Sequence, residues 1–312
     1  MIKPYLSCDQ QIKLLSEQKG LIISDHEYAM RVLTDIGYFS LIGGYKEPFI
    51  NPMTRTYEGK TTIEDIAALY LFDKSLRSLT FNYLGIVEQK IEQVLASAFC
   101  ERFGEAQAAY LDARNYSQKK ADQKRIADLL KILDNIANYS TTHRYILHQR
   151  AAHQNVPLWV LTKALTFGQL SKMYSMLQPQ QQRKIASYYT NVSESQLGSF
   201  LSCLTYFRNA SAHNERLFLL HLQQHDFPDT NMHRKLGIPQ NGHQYTMGKS
   251  DYFGVVIAFR YLLRGDEFRA YKHQLKAIIS KYLRTSNRIS QHQLLTMMGF
   301  PENWESISRY RV

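Results

Sequence analysis

TIEDIAALYLFDKSLRSLTFNYLGIVEQKIEQVLASAFCERFG, residues 62–104, is the stretch whose reading decides the fold. Thr62-Ile63-Glu64-Asp65 starts a long helical stretch. Leu84, Val87, Ile91, Val94 and Ala98 then recur at spacings of three and four, which lines them up as one apolar stripe. Gly85 is a weak spot inside the stretch, and Gly104 closes it. A helix of this length needs other helices to cover its stripe.

Upstream, residues 1–60 read as a cap. Asp9-Gln10-Gln11-Ile12 begins a short helix ending near Gly20, and Ser24-Asp25-His26-Glu27 has the capping-box spacing for a second, running to about Ile36. Gly37, Gly43, Gly44 and Pro48, interleaved with Tyr38, Phe39, Tyr45 and Phe49, make an aromatic-rich loop. Downstream, a polar segment at 105–122 precedes a helix over roughly 122–153. Pro157 opens another through Trp159, Leu161, Leu165 and Leu170, and 179–192 and 194–222 come next as helices. Pro228, Gly237, Pro239, Gly242 and Gly248 mark a long loop, and two helices at about 251–264 and 266–284 lead to a short tail ending at Val312.

The fold class expected is therefore all-α, a multi-helix bundle. Its parts are a cap (1–60), a helical core (61–225), a long loop (226–250) and C-terminal helices (251–312) packed on the core as one compact unit. Eight prolines and fifteen glycines in 312 residues agree, being too few for a meander of short strands.

The formal charge is +11. Such a surplus suits a polyanion, since each Lys or Arg near a phosphate releases condensed counterions; solubility alone is the plainer explanation. Cys8, Cys100 and Cys203 are widely spaced with no CxxC pair, which argues against a disulfide framework and a thiolate metal site. Lys3, Pro4 and Asp9 interrupt any N-terminal apolar run, and the stretch from Tyr252 to Leu263 is too short to span a bilayer. The expectation is a cytoplasmic protein with no membrane contact.

The residues best suited to chemistry are Arg208-Asn209-Ala210-Ser211-Ala212-His213. On a helix over 194–222, Leu204, Phe207, Ser211 and Phe218 share one side, while Asn209, His213 and Arg216 fall at i, i+4 and i+7 on the other. An Arg followed five residues later by a His is weak evidence by itself. Roughly one such pair is expected by chance, and Arg216 with His221 is a second. The plain alternative has Arg208 capping a carboxylate and His213 as a satisfied, half-buried histidine. His221 and His225, with Asp226, have the spacing of a helical metal pair but no HExxH pattern, so no metal site is expected. Glu88 and Glu92 lie beside the stripe of the long helix, as a solvated face, as ion-pair partners of Lys90 and neighbouring basic residues, or with one facing the candidate site.

A family resemblance carries further. Lys3-Pro4-Tyr5-Leu6 comes first, then Gly37-Tyr38-Phe39 with Gly44-Tyr45, and Ile63-Glu64-Asp65-Ile66 with Leu69-Tyr70 and Phe72-Asp73. Trp159-Val160-Leu161 leads to Leu165-Thr166-Phe167-Gly168, then Phe207-Arg208-Asn209 with Ala212-His213-Asn214-Glu215-Arg216-Leu217. Met298-Gly299-Phe300-Pro301 with Trp304 ends the series. In this order the blocks resemble the Abi-like (AbiD/AbiF) abortive-infection family, whose core is a HEPN-type helical domain.

That resemblance implies a metal-independent endoribonuclease toxin, in phage defence or a toxin–antitoxin pair, needing no cofactor. The matching catalytic positions are Arg208, Asn209 and His213, with Arg216 an RNA-binding candidate. It also implies a homodimer whose two motifs meet, and a small non-coding RNA as restraining partner; no DNA partner is expected. RNA supplies its own nucleophile in the 2′-OH. A His near neutral pH moves the protons, and an Arg holds two phosphate oxygens in the transition state. One departure stands out. HEPN toxins silenced by a partner nucleotidyltransferase carry a Tyr two positions after the His, where this chain has Glu215. The alternatives are a non-catalytic HEPN-fold RNA-binding module and a helical protein scaffold.

Overall fold

In the computed structural model, which describes residues 4–312, the long stretch is one helix. Lys3, the first residue of the N-terminal block, lies outside the described residues. The N-terminal elements are α1 (Cys8–Lys13), continued by a π-turn at Leu14–Gln18, and α2 (His26–Ile36). Asp25, rather than Ser24, caps α2, accepting from the Tyr28 amide at 2.9 Å. A single π-turn, Phe39–Gly43, begins the aromatic loop.

The next helix, α3 (Ile63–Phe103), has 41 residues, about 60 Å of rise. Thr62 and Asp65 form a reciprocal capping box at its start, and Gly104 stops it with φ +86°. Gly85 sits within it with nothing near its missing Cβ, so the ladder continues unbroken. The cap is stitched to this start: Ile22 donates to the Thr61 carbonyl at 3.0 Å and Ile63 to that of Ile22 at 3.1 Å.

Beyond it come α4 (Gln107–Leu111), α5 (Gln123–Asp134), α6 (Arg144–His153) and α7 (Leu158–Leu161). The expected single helix over 122–153 is thus two. Ser140, Thr141 and Thr142 separate them, hydroxyl residues that compete with the helical ladder for hydrogen bonds. Next are α8 (Phe167–Met176), α9 (Pro179–Ala186) and α10 (Glu194–Ala212). The 226–250 loop is not structureless. It contains α11 (Asn231–Lys235) and a two-stranded antiparallel hairpin, β1 (Gln240–Asn241) and β2 (Gln244–Tyr245), turning at Gly242 with φ +62°. The last helices are α12 (Tyr252–Leu262), α13 (Gly265–Thr285) and α14 (Gln291–Met297), the last of which lies in the expected tail.

The all-α expectation holds. The core runs along α3, against which α13 and α10 pack most extensively, with α8 packed on α10 and also touching α3. The apolar 252–263 stretch is the buried α12, where Tyr252 shares its hydroxyl with Thr80 at 2.6 Å and Tyr271 at 3.0 Å. No helix among the described residues is long and apolar enough to cross a membrane.

Candidate active site

Ser193 and Gln196 cap the start of α10, and its end presents the candidate motif. The helix stops ten residues short of the expected 222. His213 is its C-cap, its amide still bonded to the Asn209 carbonyl at 2.9 Å. Asn214 then turns left-handed with φ +57°, and the Glu215 amide returns to the Ala210 carbonyl at 3.0 Å. This is a Schellman-type stop with Asn where Gly is commoner. Arg216 and Phe218 therefore lie beyond the helix, so their i+7 reading does not apply.

A buried carboxylate holds the chain just past this stop. Asp73, on α3, accepts from the amides of Leu217 (3.1 Å) and Phe218 (2.9 Å) and from the Tyr45 hydroxyl (2.7 Å). Arg77, one turn further along α3, donates to Asp73, and to the Glu215 carbonyl at 3.3 Å. Burial pushes the Asp73 carboxyl up, against the pull of Tyr45, Arg77 and the two amides. Burial and the neighbouring Asp73 likewise push the Tyr45 hydroxyl up, which keeps it a proton donor. The turn carrying Arg216 is thus pinned at once to α3 and to the aromatic loop of the cap.

His213 and Arg216 are exposed and line an open cleft of about 1070 Å³. Its other walls come from the end of α2, the Phe39–Gly44 loop, Tyr70 and Lys74. Asn209 is exposed one turn before His213. Arg208 points elsewhere: five residues at 3.6 per turn place it about 140° from His213 around the helix. Its guanidinium lies 5.5 Å from the centre of the Phe81 ring on α3, and its Nε is buried without a partner. Glu88 is close by. Burial raises its pKa, while the charge of Arg208 lowers it and that of Glu92 raises it. Glu92 in turn is paired with Lys163 at 2.7 Å.

Within one chain, then, His213 and Arg216 share the cleft, Asn209 is next to His213, and Arg208 stands on the flank facing α3. His221 and His225 are on irregular chain, His225 against Tyr206 with ring centres 5.1 Å apart, so the helical metal-pair spacing does not exist. Tyr45 and Asp73 belong to the family-resemblance blocks, but the sequence assigns neither a role, and Arg77 is in no block. An Asp and Arg at i, i+4 inside the apolar run Leu69–Leu79 was the available signal.

A family model described as Abi-like protein matches residues 31–219, more than half of the chain. The chain belongs to the Abi-like protein family. The matched region of this Abi-like protein includes the loop and α3 walls of the cleft, the Asp73 anchor and the whole Arg208–His213 motif. The blocks at Pro4 and at Met298–Trp304 lie outside it. No curated protein and no solved structure shows a significant match to this Abi-like chain.

Proposed function

We propose that this Abi-like protein is a metal-independent endoribonuclease toxin of abortive infection, with Arg208, Asn209 and His213 as its catalytic residues. The observation that carries the reading is His213, exposed at the mouth of a roomy cleft beside Arg216. There a neutral imidazole takes the 2′-OH proton, and an imidazolium returns one to the leaving 5′-oxygen. Arg208 offers a planar fork of donors for the phosphate oxygens as charge grows on them.

Because Arg208 and His213 look out from different sides of α10, one chain does not place both on one phosphate. Two protomers packed about a two-fold axis would present two motifs to each other and supply the second histidine. A small RNA that fills the site is the restraint this reading assigns, with RNA rather than DNA as polyanion partner. The same separation favours, as a second reading, a non-catalytic RNA-binding module.

A single 2′-deoxynucleotide at the cleaved position tests the chemistry. Cutting at that linkage is expected to stop, because the nucleophile is gone. Continued cutting there rules out 2′-OH attack.

A further inference from the structure

The cleft beside His213 has a built floor and two side chains resting on it. An added Cβ on Gly43 would touch the Phe39 ring at 3.5 Å, and one on Gly44 would meet the Arg216 Cδ at 3.8 Å. The ring and the arginine stem therefore lie over successive glycines, whose Cα atoms are about 3.8 Å apart. Both also line the cleft that His213 opens onto. Phe39 is 88% exposed, with most of its ring in solvent. That face is free to meet a planar partner. Lys74, from α3, extends the cationic edge. The ion pairs among the described residues include neither Lys74 nor Arg216.

Asp35 and Glu215 are on the same walls, so the cleft is not a uniformly positive trough. An extended polyanion bound by charge alone would do poorly there. A flat, mostly neutral group with one phosphate beside it fits better, the base rather than the backbone supplying the contact area. Duplex bases are stacked on each other and do not offer a free face; unpaired ones do.

We infer that this cleft is a nucleotide subsite for unpaired RNA, where Phe39 stacks on a base while Arg216 and Lys74 hold its phosphate, the cap thereby presenting the strand to His213. This rests on the ribonuclease reading for its substrate, but binding can be measured without cutting. The cap is then part of the substrate site rather than packing alone. A flat face reads no particular base edge, so stacking purines outranks pyrimidines by area and sequence preference is shallow.

The test uses the full chain carrying His213→Ala, which leaves RNA uncut, and a dye-labelled unpaired oligoribonucleotide. Adding Phe39→Ala is expected to weaken binding about tenfold, within the range for loss of one base stack. Phe39→Trp retains affinity, and RNA quenches the added indole emission above that of the parent. Arg216→Ala lowers the slope of log affinity against log salt by about 0.7, one phosphate contact on a single strand. Both sites are exposed, so these variants fold. If Phe39→Ala binds as its parent does, and the introduced indole ignores RNA, the subsite is overturned, even where the wild type cuts RNA. Binding that depends on Phe39, without cutting by the wild type, upholds the subsite and removes the nuclease. If the chain neither binds nor cuts RNA, both readings fall.

Discussion

Asp73, in the first half of the longest helix, holds the backbone amide of Leu217 at 3.1 Å across 144 residues of sequence. That contact fixes the chain just beyond the Asn214 turn that ends α10, and it places Arg216 over the cleft. The carboxylate is fully buried and Arg77 only 3% exposed, so this is an interior ion pair serving as an anchor.

Asp73→Asn is expected to destabilise the fold by about 3–5 kcal/mol, since it leaves the Arg77 charge buried without its counterion. Denaturation should show a lower midpoint at unchanged slope. Asp73→Leu combined with Arg77→Met should recover part of the loss. Recovery stays incomplete because the Leu217 and Phe218 amides remain without an acceptor. A single Asp73→Asn as stable as wild type would remove the anchor from the account.

Arg208→Lys separates charge from geometry. Lysine keeps the positive charge but loses the planar fork, and with it the two-oxygen grip on phosphate. The expectation is a fall in kcat on the order of a hundredfold with KM little changed, the pattern of an interaction made in the transition state. A raised KM with unchanged kcat would make Arg208 a binding residue.

Much of this arrangement is legible from the residues, and the gaps have physical causes. Thr62, the apolar stripe and Gly104 mark α3 because capping and periodicity are local properties. The end of α10 is not legible, because Leu217, Phe218 and Leu219 continue the apolar letters past the stop. Asn214 also takes a left-handed turn without the glycine that would announce it. The pairing of Asp73 with Arg77 is not legible in the sequence; only the packing of Tyr45 and the 215–218 turn over them shows it. His213 stands out through family resemblance, not spacing. Its company in the cleft, Phe39 and Lys74, comes from segments far apart in sequence, so long-range packing alone reveals it.

Stability should also depend on Asp251, which caps α12 and whose carboxyl burial pushes up to about 7. In the unfolded chain it ionises near 3.8; folded, it keeps its proton to about 7. The folded state binds the extra proton, so the contribution of Asp251 falls as pH rises from about 4 to about 7, and is flat above. The total is on the order of 4 kcal/mol. Thermal melts of wild type and Asp251→Asn over that window should show their stability difference drifting in this sense. A constant difference would mean that Asp251 ionises alike in both states.

The central claim is that His213 cuts RNA without a metal, and the direct measurement is cleavage of a mixed RNA pool by wild type and His213→Ala with a chelator present. Cutting by wild type alone, leaving 2′,3′-cyclic phosphate ends, is the expected result. Equal cutting by both proteins, or activity that disappears with the chelator, would contradict it.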